Sequence, residues 1–314
     1  MVLAAGLGLR LRPLTLLRAK PALPVLNRPL LQWTLERLAR HGVTDVVINL
    51  HHLPATVVAA VGDGRALGLN VRYSQERSIL GTAGGPRRVR DFFGDAPFLL
   101  VNGDVIFDFD LKSLVARHRR EGVRATLALK PNPDPRVYGP VVTGRGGRIL
   151  SLAGRPEPAR GTVSLFTGVH VLDPALLERL PAGASDSVRD LYAPLVAEGE
   201  RLLGLRVGGP WYDLGSPEAY LTSQLAMLLA AHGRRRSFVD PTATLAPDAR
   251  VDRSVVGAGA VVEAGARLRG SVVWEGVRVG RGSQVVGSIL AANVAAGSEV
   301  RGQVIIPGRR TRIQ

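Results

Sequence analysis

The chain has 314 residues, of which 46% are hydrophobic and 21% charged, a composition typical of a globular protein with a sizeable core. It contains no cysteine, which excludes disulfides and thiolate metal sites, and no run of about 18 uncharged apolar residues that could span a membrane. The formal net charge of +15 comes from scattered arginines with only 5% aromatic residues, which favours small polyanionic ligands over nucleic acid or a membrane as partners.

The first thirty residues contain the most informative stretch of the chain. The apolar run Val2–Ala5 predicts a short buried strand, which ends at the glycine turn Gly6–Gly8. Such a turn exposes backbone N–H groups at the ligand-binding edge of an open α/β sheet. Cationic side chains follow at once, namely Arg10, Arg12, Arg18 and Lys20. Because N–H groups beside cations bind phosphates, the stretch predicts a nucleotide site.

Two well-known phosphate-binding motifs fit this stretch poorly. The dinucleotide fingerprint needs a third glycine where Leu11 stands, and the ATP P-loop needs a Gly-Lys-Ser/Thr that is missing. A tight strand-to-helix turn with solvated arginines therefore remains an alternative. The composition favours the phosphate site, because the chain has thirty-eight arginines but only three lysines, of which Lys20 is one. A compact ammonium at this position indicates a need for a point charge.

Strand and helix patterns then alternate through residue 207, which predicts an α/β domain with a mostly parallel sheet. The predicted strands are Asp45–Leu50, Leu69–Ser74, Pro97–Val101, Ala125–Lys130, Val137–Val142, Ile149–Leu152, Thr162–Leu172 and Leu202–Val207. The predicted helices are Pro29–His41, Pro54–Val61, Gly84–Phe93, Leu111–Arg120, Pro174–Leu180, Ser187–Glu198 and Pro217–His232. The charged hinge Gly233–Ser237 predicts a boundary between domains at residues 1–232 and 237–314.

Beyond the hinge, one or two apolar residues recur at steps of about six residues, with Gly, Ala and Ser between them. Val256, Val262 and Leu268 form one such series. A repeat of this kind predicts a parallel β-helix, in which apolar side chains stack in columns. The steps slip near Val272–Trp274 and Ser288–Ala291, so we expect coils that are not uniform.

The tail lacks the histidine that a hexapeptide-repeat acyltransferase uses as its general base. All histidines of the chain precede it, at positions His41, His51, His52, His118, His170 and His232. We therefore expect the tail to be a scaffold for oligomers or an effector surface and not a second enzyme.

Two aspartates lie at positions that suit a metal. Asp104 follows the apolar run Phe98–Val101, so its carboxylate is expected at the C-terminal end of a buried strand, where Mg²⁺ can meet phosphate oxygens. A simple Asn-Gly-Asp turn is the alternative. Asp213 precedes a Gly-Ser-Pro helix start with Ser216 as the predicted N-cap, and from these surroundings alone Asp213 is interpreted as structural.

The opening region closely resembles the signature of sugar-1-phosphate nucleotidylyltransferases, through the strings LAAGLGLRLRPLT, KP and RPLL that begin at Leu3, Lys20 and Arg28. The resemblance extends over nearly the whole chain. It implies a Rossmann-like three-layer nucleotidyltransferase domain followed by a left-handed parallel β-helix, most like mannose-1-phosphate guanylyltransferases. It also implies that Arg10 and Lys20 stabilise the reacting phosphate. The implied nucleotide-binding positions of the glycine turn are Leu3, Ala5, Gly6 and Gly8.

The same resemblance implies a catalytic Asp104 that binds Mg²⁺ together with Asp213, which lies in a W-x-D-x-G-S-P segment like that of the family. Mg²⁺ is therefore the expected cofactor. The segment that follows the Leu69–Ser74 strand resembles the part of the family that contacts the base. Its implied binding positions are Gln75, Glu76, Gly81 and Thr82. Glu76 with the string LGTAG resembles the guanine-associated form, whereas Gln75 leaves uracil or thymine open.

The sugar-facing segments match less well. The pairs Tyr-Gly and Thr-Gly that end at Gly139 and Gly168 resemble the family's sugar-facing segments, which implies sugar-phosphate binding at these glycines. Many members have Glu-Lys-Pro where this chain has Gly154-Arg155-Pro156. Arg155 is the expected replacement for the lysine's charge, but the glutamate has no clear substitute.

The implied reaction transfers a nucleoside monophosphate from a nucleoside triphosphate to a sugar-1-phosphate and releases pyrophosphate. GTP and mannose-1-phosphate are the expected pair, which would give GDP-mannose. A uridylyl-, thymidylyl- or adenylyltransferase acting on glucose-1-phosphate or N-acetylmuramate-1-phosphate is the close alternative. The alternative from another functional class is a non-catalytic regulatory paralogue that binds a nucleotide-sugar as a sensor. The short apolar start lacks the basic segment of a signal peptide, so we expect a cytoplasmic protein, and a homo-oligomer assembled through the β-helix.

Overall fold

The computed structural model describes residues 1–157, 160–233 and 237–313, so Arg234 to Arg236 of the predicted hinge lie outside the described residues. The described residues pack into two compact units. Unit 1 contains Met1–Gly6 and Trp33–Trp211, and unit 2 contains Leu7–Gln32 and Tyr212–Gln314. The segment after the first strand therefore packs with the C-terminal part of the chain. The division into domains at residues 232 and 237 stays a prediction.

The secondary structure up to residue 232 alternates between short strands and helices. The strands are β1 (Val2–Leu3), β2 (Pro24–Val25), β3 (Arg28–Pro29), β4 (Asp45–Leu50), β5 (Asn70–Gln75), β6 (Phe98–Asn102), β7 (Val105–Phe107), β8 (Ala125–Pro131), β9 (Pro140–Thr143), β10 (Ile149–Leu152), β11 (Thr162–Leu172), β12 (Leu203–Arg206) and β13 (Trp211–Asp213). The α-helices are α1 (Leu30–Arg40), α2 (Pro54–Val61), α3 (Gly81–Arg88), α4 (Leu111–Glu121), α5 (Ala193–Ala197) and α6 (Pro217–His232). Within the described ranges, no helix is both long and apolar enough to cross a bilayer.

Unit 1 is built on a mixed sheet with the strand order β10-β9-β11-β6-β1-β4-β5, in which β8 pairs with both β11 and β12. Strands β6, β1, β4 and β5 are parallel, which confirms the α/β pattern in this half. Strand β11 instead runs antiparallel to β6, β8 and β9. Because Leu3 pairs with Asn49 and with Asn102, the segments that follow β1, β4 and β6 share one edge of the sheet.

Helix α3 differs from the predicted helix Gly84–Phe93. It begins at Gly81, three residues earlier, and a separate 3₁₀ turn covers Arg90–Phe93. The earlier start is supported from outside the helix, because the Ser185 carbonyl accepts the N–H of Ala83 at 2.9 Å. The first N–H groups of a helix have no partner within it, so such an acceptor stabilises the start.

The predicted helix Ser187–Glu198 is divided, since a π-helical turn over Ser187–Tyr192 precedes α5. The Asp186 side chain caps this turn by accepting two backbone N–H groups. Pro194 has no N–H to donate and lies in the first turn of α5, where a helix tolerates proline, so it marks the start of a new helix. The predicted helix Pro174–Leu180 is likewise a 3₁₀ helix and not an α-helix.

The predicted strand Val137–Val142 begins later, at Pro140, as β9. The carbonyl of Asp134 accepts the N–H groups of Val137 and Tyr138, which form a turn instead of the start of a strand. Strands β7 and β13 were not predicted, because three residues are too few to show an alternating pattern.

The interior of unit 1 contains an unusual buried pair. His170 and Tyr192 are both about 1% exposed or less, and the Tyr192 hydroxyl lies 2.6 Å from His170 Nδ1. Burial lowers the pKa of His170 from 6.5 to about 3, so the folded protein keeps this imidazole neutral.

We expect the stability of the protein to fall as the pH drops from about 6.5 towards 3, because only the unfolded chain then protonates His170. Each pH unit in this range costs about 1.4 kcal/mol at most. The measurement is chemical denaturation between pH 7 and 4.5 for the wild type and His170→Gln, which cannot take up this proton. The wild type should lose about 2.5 kcal/mol more than the variant. Parallel pH profiles for the two proteins would show that His170 does not carry this dependence.

The C-terminal part of unit 2 is a parallel β-helix, as the six-residue repeat predicted. Its sides are the parallel sheets β14-β17-β20-β23-β25, β15-β18-β21 and β16-β19-β22-β24, and β26 pairs antiparallel with β25. The strands are β14 (Phe238–Val239), β15 (Thr244–Leu245), β16 (Arg250–Asp252), β17 (Val255–Val256), β18 (Val261–Val262), β19 (Arg267–Arg269), β20 (Val272–Val273), β21 (Arg278–Val279), β22 (Gln284–Val286), β23 (Ile289–Leu290), β24 (Glu299–Arg301), β25 (Gln303–Ile306) and β26 (Arg309–Arg312).

The slips in the six-residue step are regular over the first three coils, of 17 residues each, whereas the last coil is shorter, since Ile289 pairs with Val304. In the first coil, strands begin at Phe238, Thr244 and Arg250, and the next coil begins at Val255, so two steps of six are followed by one of five. Buried serines stack in a column at the corner within the five-residue step, which we call the shorter corner. The Ser271 hydroxyl, for example, donates to the Arg269 carbonyl at 2.9 Å and accepts the backbone N–H of Ser288 at 3.1 Å. The same bonds recur at Ser254 and Ser288, so the tight corner leaves these polar groups paired.

The same corner contains one residue that does not suit it. Arg253 has φ +44°, whereas the equivalent positions of the next coils are Gly270 and Gly287, both with φ +55°. An L-residue at positive φ is strained. We expect Arg253→Gly to raise the free energy of unfolding by roughly 0.5–1 kcal/mol, measured by chemical denaturation. The matched control is Arg250→Gly in strand β16, which should lower it, and equal effects of the two substitutions would contradict the interpretation.

Candidate active site

The ends of β1 and β4 are joined to the start of α3 by a chain of buried hydrogen bonds within unit 1. The Ala4 N–H donates to Asn49 Oδ1 at 2.7 Å, and Asn49 Nδ2 donates to Glu76 Oε1 at 2.8 Å. The second oxygen of Glu76 accepts the N–H of Leu80 at 2.9 Å. Asn49 and Glu76 are 2% and 1% exposed. Glu76 is therefore held inside the protein, and it fixes the segment that the sequence assigned to base recognition.

Gly81 and Thr82 also make contacts inside unit 1. Gly81 has φ +76°, and a Cβ added there would lie 2.5 Å from the Ser185 carbonyl oxygen, so only glycine fits. The Thr82 hydroxyl donates to Asp186 at 3.1 Å and accepts the Ser187 N–H at 2.7 Å. Gln75 is exposed at the end of β5, so of this group its side chain is the one open to a ligand.

Asp104 lies where the sequence placed it, just past the end of β6. The preceding residue must be small, because a Cβ on Gly103 would come within 2.6 Å of the Leu3 carbonyl oxygen. The Gly103 N–H donates to that same oxygen at 2.8 Å. The turn that carries Asp104 is thus packed directly against the last residue of β1, at the ligand-binding edge of the sheet. Asp104 itself is half-buried.

The predicted sugar-side glycines lie close to this turn. Gly168 has φ +79°, and a Cβ there would lie 2.6 Å from the Asn102 side-chain nitrogen, so β11 and β6 approach closely at this point. The neighbouring Thr167 carbonyl accepts the Trp211 indole N–H at 3.0 Å. The Trp211 ring in turn contacts Tyr138 edge-on, with 5.7 Å between ring centroids. These contacts place Gly168 and the segment before Gly139 in one neighbourhood of unit 1.

Tyr138 and Gly139 also line an apolar cavity of about 260 Å³, whose other walls include Leu152, Ala153 and Phe166. The segment after Ala153 forms a tight turn, in which the backbones of Leu152 and Arg155 exchange two hydrogen bonds of 2.9 Å. Gly154 lies in this turn with φ +78°. A glutamate would be strained at that φ, so the turn itself accounts for the glycine at this position. The Arg155 side chain is exposed.

In unit 2, the first loop packs Lys20 against the glycine turn. Gly8 has φ +61°, and a Cβ there would lie 2.7 Å from the Thr15 methyl group and 3.5 Å from Lys20 Cβ. The Thr15 hydroxyl donates to the Gly8 carbonyl at 2.9 Å. Lys20 is only 8% exposed, an unusually low value for a lysine. The loop therefore buries the stem of Lys20 beside the backbone that is predicted to hold phosphates.

Arg10 and Asp213 converge within the same unit. A Cβ on Gly215 would lie 2.9 Å from an Arg10 guanidinium nitrogen and 3.0 Å from Asp213 Oδ1. Glycine at this position therefore leaves room for both side chains. Ser216 caps α6 through its bond with the Ala219 N–H at 3.2 Å, as predicted. The sequence motif around Asp213 thus serves two purposes, since it starts the helix and places a carboxylate beside Arg10.

Asp104 in unit 1 and Asp213 in unit 2 are each of a residue type that suits Mg²⁺. Asp104 and Asp213 are both half-buried carboxylates, and oxygen ligands of this kind are the ones that Mg²⁺ prefers. The described residues contain no group of three histidine, cysteine or carboxylate side chains arranged to bind a metal. Mg²⁺ in phosphate chemistry takes one or two protein carboxylates and completes its shell with water and phosphate oxygens. Each aspartate therefore offers one half-buried carboxylate of this kind within its own unit.

Comparison with known families agrees with this geometry. A family described as Nucleotidyl transferase matches residues 1–229, which contain every predicted catalytic and binding residue. The chain belongs to this family. A second family, described as GlmU-like, C-terminal hexapeptide, matches residues 233–312. The resemblance inferred from the opening signature is therefore confirmed for both parts of the chain.

Relatives of the nucleotidyl transferase family include enzymes with different substrates. A mannose-1-phosphate guanylyltransferase of Mycobacterium tuberculosis is 34% identical over 270 residues, which are 83% of this chain and 75% of that protein. A UTP–glucose-1-phosphate uridylyltransferase of Synechocystis is also 34% identical, over 70% of this chain and 61% of that protein. The chain thus spans less than two thirds of the Synechocystis protein.

A solved structure shows a similar fold. A candidate glucose-1-phosphate thymidylyltransferase from Bacillus anthracis is 23% identical and superposes with a TM-score of 0.62, over 72% of this chain and 93% of that one.

Some residues of the site were not identified from the sequence. Asn49 lies within the predicted strand Asp45–Leu50 and was not predicted as a site residue, yet it joins β1 to Glu76. A polar residue within the apolar strand β4 was the available signal, because buried amides need partners. Asn102 and Asp186 gave no such signal, since Asn-Gly and Ser-Asp-Ser are ordinary turn sequences.

Proposed function

We propose that this chain transfers a nucleoside monophosphate from a nucleoside triphosphate to a sugar-1-phosphate and releases pyrophosphate. The observation that carries this proposal is the buried Lys20, which packs beside Gly8 in a chain with only three lysines. In this reaction a phosphate oxygen of the sugar-1-phosphate attacks the α-phosphorus as the bond to the leaving pyrophosphate breaks. Both reactants are anions, so catalysis consists of alignment and neutralisation of charge.

In the proposed mechanism, Arg10 and Lys20 stabilise the charge that develops on the phosphates. Leu3, Ala5, Gly6 and Gly8 of the glycine turn would contact the nucleotide. The N–H groups after Ala4 would hold the triphosphate, because the Ala4 N–H already donates to Asn49. Asp104 and Asp213 would hold Mg²⁺, which neutralises phosphate oxygens when it is bound. The Arg10 guanidinium beside Asp213 supports a shared role for these two residues at the phosphates.

Guanine is the base that we propose, with GTP as the donor. Relatives named mannose-1-phosphate guanylyltransferases from several organisms support this choice. Gln75 would contact the base directly, because it is exposed, while Gly81 allows close approach of the backbone. Glu76 and Thr82 would act by fixing the shape of this segment, since their side-chain atoms already bond within unit 1.

Mannose-1-phosphate is the proposed acceptor, with Gly139, Arg155 and Gly168 on the sugar side. The Synechocystis relative supports the alternative of uridylyl transfer to glucose-1-phosphate. One observation favours the non-catalytic sensor. Gly154, with φ +78°, stands where many members have a glutamate, so the sugar contact of that glutamate is missing. The presence of Arg10, Lys20, Asp104 and Asp213 favours the enzyme.

We further propose that the protein is cytoplasmic and assembles as a homo-oligomer through its β-helix. The stacked strands along the sides of the parallel β-helix support such an assembly.

The experiment is a matrix of GTP, UTP, dTTP and ATP against the 1-phosphates of mannose, glucose and N-acetylmuramate, with pyrophosphate release as the readout. We expect the fastest release with GTP and mannose-1-phosphate. Release with another pair would keep the reaction class and revise the base or the sugar. No release with any pair, together with tight binding of a nucleotide-sugar in equilibrium dialysis, would contradict the proposal and favour the sensor.

A further inference from the structure

Arg18, two residues before Lys20, contacts the β-helix. Its guanidinium forms an ion pair with Glu275 and lies 5.3 Å from the centre of the Trp274 ring. The Arg18 and Glu275 side chains are 36% and 39% exposed. Trp274 is only 4% exposed, so the Arg18 guanidinium lies over the face of a buried aromatic ring. The loop that carries Lys20 is thus attached to the tail immediately before the lysine.

Helix α6 connects the same loop to the same tryptophan. The Trp274 indole N–H donates to the Tyr220 hydroxyl at 3.2 Å, and that hydroxyl donates to the Pro24 carbonyl. One turn further along α6, Gln224 Oε1 accepts the Leu26 N–H at 3.0 Å. Tyr220 and Gln224 are completely buried. Polar bonds of this kind, shielded from water, fix the geometry of the groups they join.

A third contact lies after Lys20. The Asn27 side-chain nitrogen donates to the Val256 carbonyl of the β-helix at 2.8 Å. The segment from Arg18 to Asn27 is therefore held by the β-helix at both ends and by α6 in between. Lys20 lies inside this segment, in the single 3₁₀ turn Lys20–Ala22. One such turn does little to stiffen the backbone, so the outside contacts hold the segment in place.

We propose that Trp274 and Glu275 are positioning residues of the transferase reaction, which act through Arg18 to hold Lys20 in its working position. The tail would then complete the catalytic loop, beyond the scaffold or effector surface expected from its sequence. This inference rests on the proposed function, in which Lys20 stabilises the reacting phosphate. A partly exposed ion pair contributes little to overall stability, but a small displacement of a catalytic group costs much more in rate.

The first test compares Glu275→Gln with a matched control on the same β-helix. Glu263→Gln removes the ion pair between Glu263, just after β18, and Arg278 in β21, whose side chains are also partly exposed. We expect Glu275→Gln to lower kcat roughly 5- to 20-fold, with KM for the triphosphate and Tm nearly unchanged. Glu263→Gln should leave kcat unchanged. Wild-type kcat in Glu275→Gln, or equal losses in both variants, would overturn the proposal.

A charge swap separates positioning from direct contact with substrate. The double variant Arg18→Glu, Glu275→Arg restores the ion pair with its charges reversed. We expect it to recover most of the kcat that the single Arg18→Glu loses, because the backbone before Lys20 is held again. If Arg18 itself binds phosphate, the swap stays as inactive as the single variant, and the positioning role is refuted.

Amide hydrogen exchange tests the inference without relying on activity. The N–H groups between Arg18 and Asn27 should exchange faster in Glu275→Gln than in the wild type, and at the wild-type rate in Glu263→Gln. Unchanged exchange in Glu275→Gln would overturn the positioning role. A wild type that releases no pyrophosphate with any substrate pair would instead refute the proposed function, while the exchange result would still decide whether the tail holds the loop.

Discussion

Replacing Lys20 by alanine is expected to lower kcat about 10²- to 10³-fold, the usual loss for one preorganised donor at a reacting phosphate. Lys20 is 8% exposed and its Cβ lies beside Gly8, so packing restricts the side chain before substrate arrives. No rearrangement is then needed as negative charge builds on the phosphates. The effect should appear in steady-state pyrophosphate release under saturating substrates.

Lys112→Ala is the matched control, because Lys112 is an exposed lysine in the first turn of α4. It should keep the wild-type kcat. Thermal denaturation of Lys20→Ala checks that the variant folds, since the lysine stem is buried. A folded Lys20→Ala that works within twofold of the wild type would remove Lys20 from the mechanism.

Asp104→Asn is expected to raise the Mg²⁺ concentration needed for half-maximal rate by roughly 10- to 100-fold and to lower kcat as well. The amide keeps the shape of the side chain but loses the negative charge that Mg²⁺ needs. Packing of Gly103 against the Leu3 carbonyl fixes the turn, so the substitution should not move the backbone. The measurement is a Mg²⁺ titration of the rate at a fixed, saturating concentration of both substrates.

Asp91→Asn is the control for this titration. Asp91 is an exposed aspartate in the 3₁₀ turn Arg90–Phe93, and its removal should leave the Mg²⁺ dependence as in the wild type. A Mg²⁺ dependence of Asp104→Asn that matches the wild type would count against Asp104 as a metal ligand.

Local signals in the sequence predicted much of the fold. Runs such as Asp45–Leu50 and the amphipathic helix Leu111–Arg120 are long enough for their pattern to show. Hexapeptide steps predicted the parallel β-helix, because every coil repeats the same small turn residues. What the pattern could not show was the antiparallel half of the sheet, since strand direction depends on which neighbour β11 pairs with.

Local signals could also identify residues of the candidate site, but not the contacts that hold these residues in place. Gly8, Arg10, Lys20 and Asp104 belong to compact motifs, so each could be found from its immediate neighbours. The contacts that hold them join distant parts of the chain. Arg18 and Glu275, for example, are 257 residues apart. A single sequence contains no signal for a pair at that separation, and only the folded chain brings it together.

The shorter corner of the β-helix shows the same limit. Ser254, Ser271 and Ser288 recur every 17 residues. A strict six-residue repeat would place them 18 residues apart, so the one-residue difference looks like an irregularity in the sequence. The structure shows that it is part of the repeat, because the serine hydroxyl pairs the backbone where the corner is tight.

Transfer of label from α-³²P-GTP tests the central proposal most directly. The protein is incubated with Mg²⁺, labelled GTP and mannose-1-phosphate, and the nucleotides are separated by chromatography. We predict that the label moves into a sugar nucleotide in equal amounts with released pyrophosphate, and only when both substrates are present. Label that stays in GTP with every sugar-1-phosphate, or that appears as free GMP, would contradict the proposal.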